Sequence, residues 1–168
     1  MRVLVAALLL FSTPMFAGEE LVARYGPMLE KCYLEAEDSE SKTACKGLFA
    51  DACMASEEGG YSTHGMSLCA HSEAEVWDRL LNMEYANAKQ WAMAMDSDDV
   101  ELFPEYANRV KGLRDAQRAW IAFRDADCEL AYAAWGAGSM RHIAGSNCIL
   151  EKTADRTVEL WAIADMMQ

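Results

Sequence analysis

Basic residues are scarce in this chain: 15 Lys and Arg stand against 27 Asp and Glu in 168 residues, a net charge of −12. That balance excludes nucleic acid as a partner, because phosphate binding needs a basic face to displace counterions. Anionic membrane surfaces are repelled for the same reason, whereas a cationic protein is attracted. Long apolar runs are missing as well. The longest, residues 3–11, is well short of the about 20 residues a helix needs to cross a bilayer, so no membrane insertion is expected. Histidine and proline occur only three times each, and no segment alternates apolar and polar residues at the strand period. What is abundant is apolar surface, 52% of the residues, which excludes disorder and at this length suits one compact domain.

The opening residues read as a secretory leader. Arg2 precedes the apolar run, and Ser12, Thr13 and Pro14 break it ahead of Ala17 and the acidic Gly18-Glu19-Glu20, so cleavage is expected after Ala17. Residues 1–17 are then removed and residues 18–168 form the mature domain, secreted or periplasmic and soluble, with residues 18–52 as an amino-terminal helical extension. In such an oxidising compartment Cys32, Cys45, Cys53, Cys69, Cys128 and Cys148 are expected as three disulfides. Fifteen connectivities are open; pairing between sequence neighbours is the simplest, since each short loop can bridge adjacent helices. Cys53, His64, Cys69 and His71 are also zinc-ligand types within nineteen residues, but their spacing fits no known ribbon or finger, and disulfide formation is the better reading.

The period throughout is helical. A first helix spans about 19–35 with an interruption near Gly26-Pro27, and residues 35–42 connect it to a short helix ending near 55. Residues 56–65 read as a loop. A long helix follows over about 72–95, broken by the acidic residues 96–99. The next spans about 103–135, with a stripe of Tyr106, Val110, Leu113, Gln117, Trp120, Arg124, Cys128, Ala131 and Trp135. A glycine-containing loop, 136–147, leads to a last helix over 148–167. The fold class is all-α, an antiparallel helical bundle stapled by disulfides.

Polar residues on the inward stripes are the most informative physical feature. Asp78, Asn82 and Tyr85 form one row, and Gln117 and Arg124 form a facing row on the following helix. A charge inside a core needs a partner, so Arg124 is expected on Asp78, Asn82 and Gln117 hydrogen-bonded between the helices, and Arg156 on Asp125 or a helix end. A satisfied network that sets helix register outweighs a ligand pocket as the reading of these six residues.

Trp77-Asp78, Leu81-Asn82, Tyr85, Leu113, Ala116-Gln117, Trp120, Arg124-Asp125, Cys128, Gly138-Ser139, Cys148, Thr153, Arg156 and Leu160, in this order, resemble the pattern of the LprI-like lysozyme-inhibitor domain family. With the lead-in from Cys53 to Cys69, which carries Gly59-Gly60, Thr63, Gly65 and Met66, the resemblance covers residues 53–160, within a family-like region of 53–168. It implies a helical, disulfide-bonded exported protein that inhibits lysozyme.

Charge segregation fits such a role. Residues 18–105 hold nineteen acids and six bases, whereas 106–168 hold eight of each, so a cationic lysozyme would be steered to the amino-terminal half. Inhibition implies blocking a cleft with two catalytic carboxylates. The loop 136–147, offering Ser139, Arg141, His142 and Asn147, is the preferred plug because Arg141 can bond a carboxylate; residues 59–66, with Tyr61, Ser62, Thr63 and His64, are the second choice. No catalytic residue, metal or cofactor is assigned. The run Gly60 to Gly65 is one residue off a nucleophile elbow and lacks the preceding strand, and Gly136-Ala137-Gly138 lacks the lysine of a phosphate loop. The alternative function is a non-catalytic structural or adaptor protein of the cell envelope.

Overall fold

A computed structural model describes residues 17–165, so residues 1–16 of the expected leader (1–17) lie outside the described residues, as does the end of the last helix at Met167. Six α-helices occupy almost all of the described chain: α1 Ala17–Glu35, α2 Ser39–Thr43, α3 Leu48–Ser56, α4 Thr63–Asp99, α5 Arg109–Ala133 and α6 Met140–Asp165, with a 3₁₀ turn at Pro104–Tyr106. There is no strand among the described residues.

The 37-residue α4 is the axis of the molecule, about 55 Å long at the usual rise per residue. On one side α1 and α3 cover it, and Leu21, Leu29, Tyr33 and Phe49 pack with Trp77, Leu80, Leu150 and Val158 in one core. A smaller cluster centred on Leu81, Ala88 and Leu160 continues beneath α5, with Tyr85, Leu113 and Trp120 partly buried against it. Helices α4, α5 and α6 alternate in direction, as their short connections require. Because Ser67 meets Ser146 while Trp77 meets Thr157, α6 runs alongside α4 in the same sense. Helix α1 also shares α4's direction, with Arg79 donating to Glu30 and the Tyr33 hydroxyl donating to Glu84.

Several boundaries differ from those the sequence suggests. Pro27 lies inside a continuous α1; the burial of Leu21, Leu29 and Tyr33 against α4 holds the helix through the missing hydrogen bond. Helix α4 starts at Thr63, nine residues earlier than expected, because the Ser62 hydroxyl accepts from the Gly65 N–H as an N-cap. It also continues through the acidic residues 96–99, since Asp96 and Asp99 are held by Arg109. Helix α5 is correspondingly shorter than its stripe: Tyr106 and Trp135 fall outside it and are exposed. The stripe members from Val110 to Ala131 are all at least partly buried.

The cysteines pair as sequence neighbours: Cys32 with Cys45, Cys53 with Cys69, and Cys128 with Cys148, at Cα separations of 5.9, 5.8 and 5.3 Å. They tie α1 to the turn after α2, α3 to α4, and α5 to α6. Joined to each other, Cys53 and Cys69 have no thiolates to offer a zinc ion.

One carboxylate joins three elements. Glu73 of α4 is fully buried, and its Oε1 accepts from the Gly47 N–H at 2.7 Å and the Trp77 Nε1–H at 2.9 Å, while Oε2 accepts from the Ala50 N–H at 2.7 Å. Helix α3 has no cap of its own, since Gly47 at its N-cap carries no side chain; α4 supplies it. Burial raises the Glu73 carboxyl above its ordinary 4.5, against the opposing pull of the Ala50, Trp77 and Gly47 donors.

Two measurements check this account. Glu73→Gln turns an amide N–H₂ toward a backbone donor and is expected to destabilise the protein by about 1–3 kcal/mol in chemical denaturation. Because the folded-state value is raised, this group's stabilisation is present below pH 4.5 and is lost as pH rises through the folded value, so the wild-type lead over Glu73→Gln narrows as pH rises above 4.5. Gly65→Ala would put a Cβ 2.2 Å from the Gly59 carbonyl oxygen and 2.6 Å from that of Gly60. Since both neighbours are backbone, a loss of roughly 2 kcal/mol or more in thermal or denaturant melting is expected.

Candidate functional site

The motif residues of α4 and α5 converge on one groove. It has a volume of about 440 Å³, and its walls include Asp78, Asn82 and Tyr85 from α4 and Gln117, Trp120 and Arg124 from α5. Arg114 and Arg118 stand on its α5 rim, so three guanidinium groups face a single carboxylate across an apolar floor of Leu81, Trp120 and Ile121. Such a lining is complementary to an anionic or mixed surface.

The six residues expected to form one network make three local pairs. Arg124 bonds its neighbour Asp125 through Nε at 2.9 Å and lies over the Trp120 ring, and it makes no ion pair with Asp78. Asp78 instead accepts from the Asn82 side chain at 3.0 Å. Both α4 residues are exposed on the groove rim, where a carboxylate keeps its hydration and has no need of a buried partner. Asn82 and Gln117 therefore do not bond to each other. Gln117, which is buried, accepts from Arg156 Nε at 3.0 Å and thereby joins α5 to α6. Arg156 completes its contacts with Glu159 at 2.9 Å, not with Asp125.

The segment 136–147 is not a loop beyond residue 139. Arg141, His142 and Asn147 lie within α6, and only Ser139 belongs to the connection, which spans 134–139. Gly145 is what made the segment look like a turn. In the structure it lets α6 approach α5, since a Cβ there would meet the Tyr132 ring at 3.3 Å, and the adjacent Cys128–Cys148 bond holds that approach. Arg141 is tied inward, donating to the Gly136 carbonyl at 3.3 Å and lying over the Tyr132 ring. Residues 59–66 are likewise structural in part, with Ser62 capping α4.

A second and larger cavity, about 600 Å³, opens between α1, α2, α4 and the end of α6. Here the buried Lys42 ammonium donates to the carbonyls of Tyr33 at 2.9 Å and Ala36 at 2.8 Å and sits against the Tyr33 and Trp161 rings. Burial lowers its affinity for a proton, and the nearby Glu84 and Asp165 partly restore it. The buried Glu84 accepts from the Tyr33 hydroxyl at 3.1 Å and from Asn87 at 3.0 Å, and desolvation, with this carboxylate, pushes the Tyr33 phenol upward. The buried charges of this cavity thus each bond uncharged partners, and the Lys42 bonds to the Tyr33 and Ala36 carbonyls lock α2 onto α1. Lys42, Glu73 and Glu84 were not singled out from the sequence, although Glu73 and Glu84 fall at helical spacing with Trp77, Leu81 and Ala88. Among the described residues no group of three or more His, Cys, Asp or Glu side chains is arranged to hold a metal ion, and no helix is long and apolar enough to cross a membrane.

The chain is similar to known proteins over this same core. A family model described as "Lysozyme inhibitor LprI" matches residues 53–160, from the first cysteine of α3 to the buried Leu160 of α6. Uncharacterized protein R02472 of Rhizobium meliloti (strain 1021) is 36% identical over 95 residues, covering 56% of this chain and 68% of that protein. No solved structure matches. With both faces of the groove, the Cys53–Cys69 and Cys128–Cys148 bonds and the Gln117–Arg156 link all inside the matched span, the chain belongs to the LprI lysozyme-inhibitor family.

Proposed function

We propose that this protein is an exported, non-catalytic inhibitor that binds a cationic lysozyme-type cell-wall hydrolase and blocks its cleft. The observation that carries the reading is the family match over residues 53–160, nearly two thirds of the chain. Two physical features support it. Three disulfides hold the helices, which suits an oxidising environment outside the cytoplasm and keeps the binding surface ordered before the partner arrives. The net charge of −12 favours encounter with a basic enzyme. In this reading residues 1–17 direct export and the mature protein acts in the periplasm or outside the cell. The Gln117–Arg156 link sets the register of α5 on α6 and supports the surface from within, while the Arg124–Asp125 pair stays within α5. The α6 positions Arg141, His142 and Asn147, with Ser139, contribute at most a helical face, since they form no flexible plug.

The test is the rate of cell-wall hydrolysis by a c-type lysozyme as oxidised mature protein is added. Saturable inhibition is expected, stronger at low salt, still measurable at physiological salt, and lost once the disulfides are reduced. Unchanged hydrolysis at both salts would overturn the proposal.

A further inference from the structure

The connection between α4 and α5 exposes what a folded domain normally hides. Val100, Leu102, Phe103 and Tyr106 are 55, 75, 51 and 61% exposed, four large apolar or aromatic side chains within seven residues. Scattered surface apolar residues need no explanation, but a contiguous group at a protruding tip marks an interaction surface.

This tip is ordered. Asp96, in the last turn of α4, accepts from the Arg109 N–H at 2.9 Å and the Val110 N–H at 3.0 Å, capping α5, whose own N-cap Asn108 makes no side-chain cap. The Arg109 guanidinium returns to Asp99 at 2.7 Å and to Asp96 at 3.3 Å. Burial works to raise the Asp96 carboxyl, but the Val110 and Arg109 donors outweigh it and hold the group below its ordinary range. Pro104 starts the 3₁₀ turn, and the Phe103 and Tyr106 rings face each other at 6.3 Å. Asp96, Asp99 and Arg109 are therefore spent on building the turn, and the apolar side chains are turned outward.

The charge around the tip selects its occupant. From residue 96 to residue 108 there are five carboxylates and no base. Arg109 neutralises part of that charge, while Asp98, Glu101 and Glu105 are exposed and make no ion pair among the described residues. An anionic lipid surface is repelled by such a ring, and a second copy of the same tip is repelled too. A cationic protein with an apolar concavity is complementary to it: its basic rim meets the carboxylates while Leu102, Phe103 and Tyr106 enter the concavity.

We infer that the α4–α5 tip, with Leu102, Phe103 and Tyr106 as anchors and Asp98, Glu101 and Glu105 as the steering ring, is the surface that engages the cationic hydrolase. This rests on the proposed inhibitory function and gives it an address. Ordered aromatic anchors are what binding surfaces use to gain affinity at low entropic cost.

The experiment measures binding of immobilised c-type lysozyme to the oxidised mature protein and to two variants, Leu102→Ser/Phe103→Ser and Asp98→Asn/Glu101→Gln/Glu105→Gln. All five side chains changed are exposed, so unchanged melting is expected for both variants. The apolar variant should bind at least tenfold more weakly, chiefly through faster dissociation. The charge variant should associate more slowly at low salt and show a flatter salt dependence. Wild-type affinity in both variants, with the intact protein binding normally, overturns the tip and leaves the inhibitory reading standing. No binding by the intact protein overturns both. Loss in the variants of self-association or of binding to zwitterionic vesicles, with lysozyme binding unaltered, assigns the tip to a different partner and overturns the inference.

Discussion

A buried carboxylate on the central helix sets the terms for its neighbours. Glu73 has no water to hydrate it, so the three N–H groups of Gly47, Ala50 and Trp77 replace that hydration. Each of those donors would itself be orphaned without it. The start of α3, the indole of the largest buried side chain and the axis helix are therefore satisfied together or not at all. The same device recurs at the far end of α4, where Asp96 caps α5. Both recipient helices lack a cap of their own, so α4 organises the bundle by supplying the acceptors that its neighbours' amino termini need.

Around that axis the burial is uneven. The α1 and α3 side is a dense apolar core, whereas α5 buries only Gln117 and Cys128 and is held by half-buried contacts, the Gln117–Arg156 bond and one disulfide. The physical logic is that of a covered face and an offered face. The N-terminal helices complete the core of the family-matched region although they lie outside the match, and α5 with its flanking tip is left toward solvent. In that division the stability resides on the α1 and α3 side, away from α5 and the tip.

Much of the fold was legible from spacing. Helix positions followed from the apolar period, and the cysteine partners from proximity along the chain, because both are local properties of the sequence. Gln117 stood out as a polar residue on an apolar stripe and is buried, as is most of Arg156. Partner choice was less legible. Arg124 had a carboxylate one residue away, and that proximity decided against Asp78. Glu73 and Glu84 sit on the stripe as plainly as Gln117, yet the donors that justify them come from other helices, and such tertiary caps leave no local trace. The beginning of α6 was hidden for a related reason: Gly145 looks like a turn residue until Tyr132 is seen against it.

The disulfide pattern carries a consequence for how the chain is made. Its cysteines pair first with second, third with fourth and fifth with sixth, at separations of 13, 16 and 20 residues. A chain that enters an oxidising compartment amino-terminus first therefore presents each native pair complete before the next cysteine emerges. Oxidation in order of arrival yields the native set without reshuffling, and no covalent bond has to wait for the two ends of the molecule to find each other.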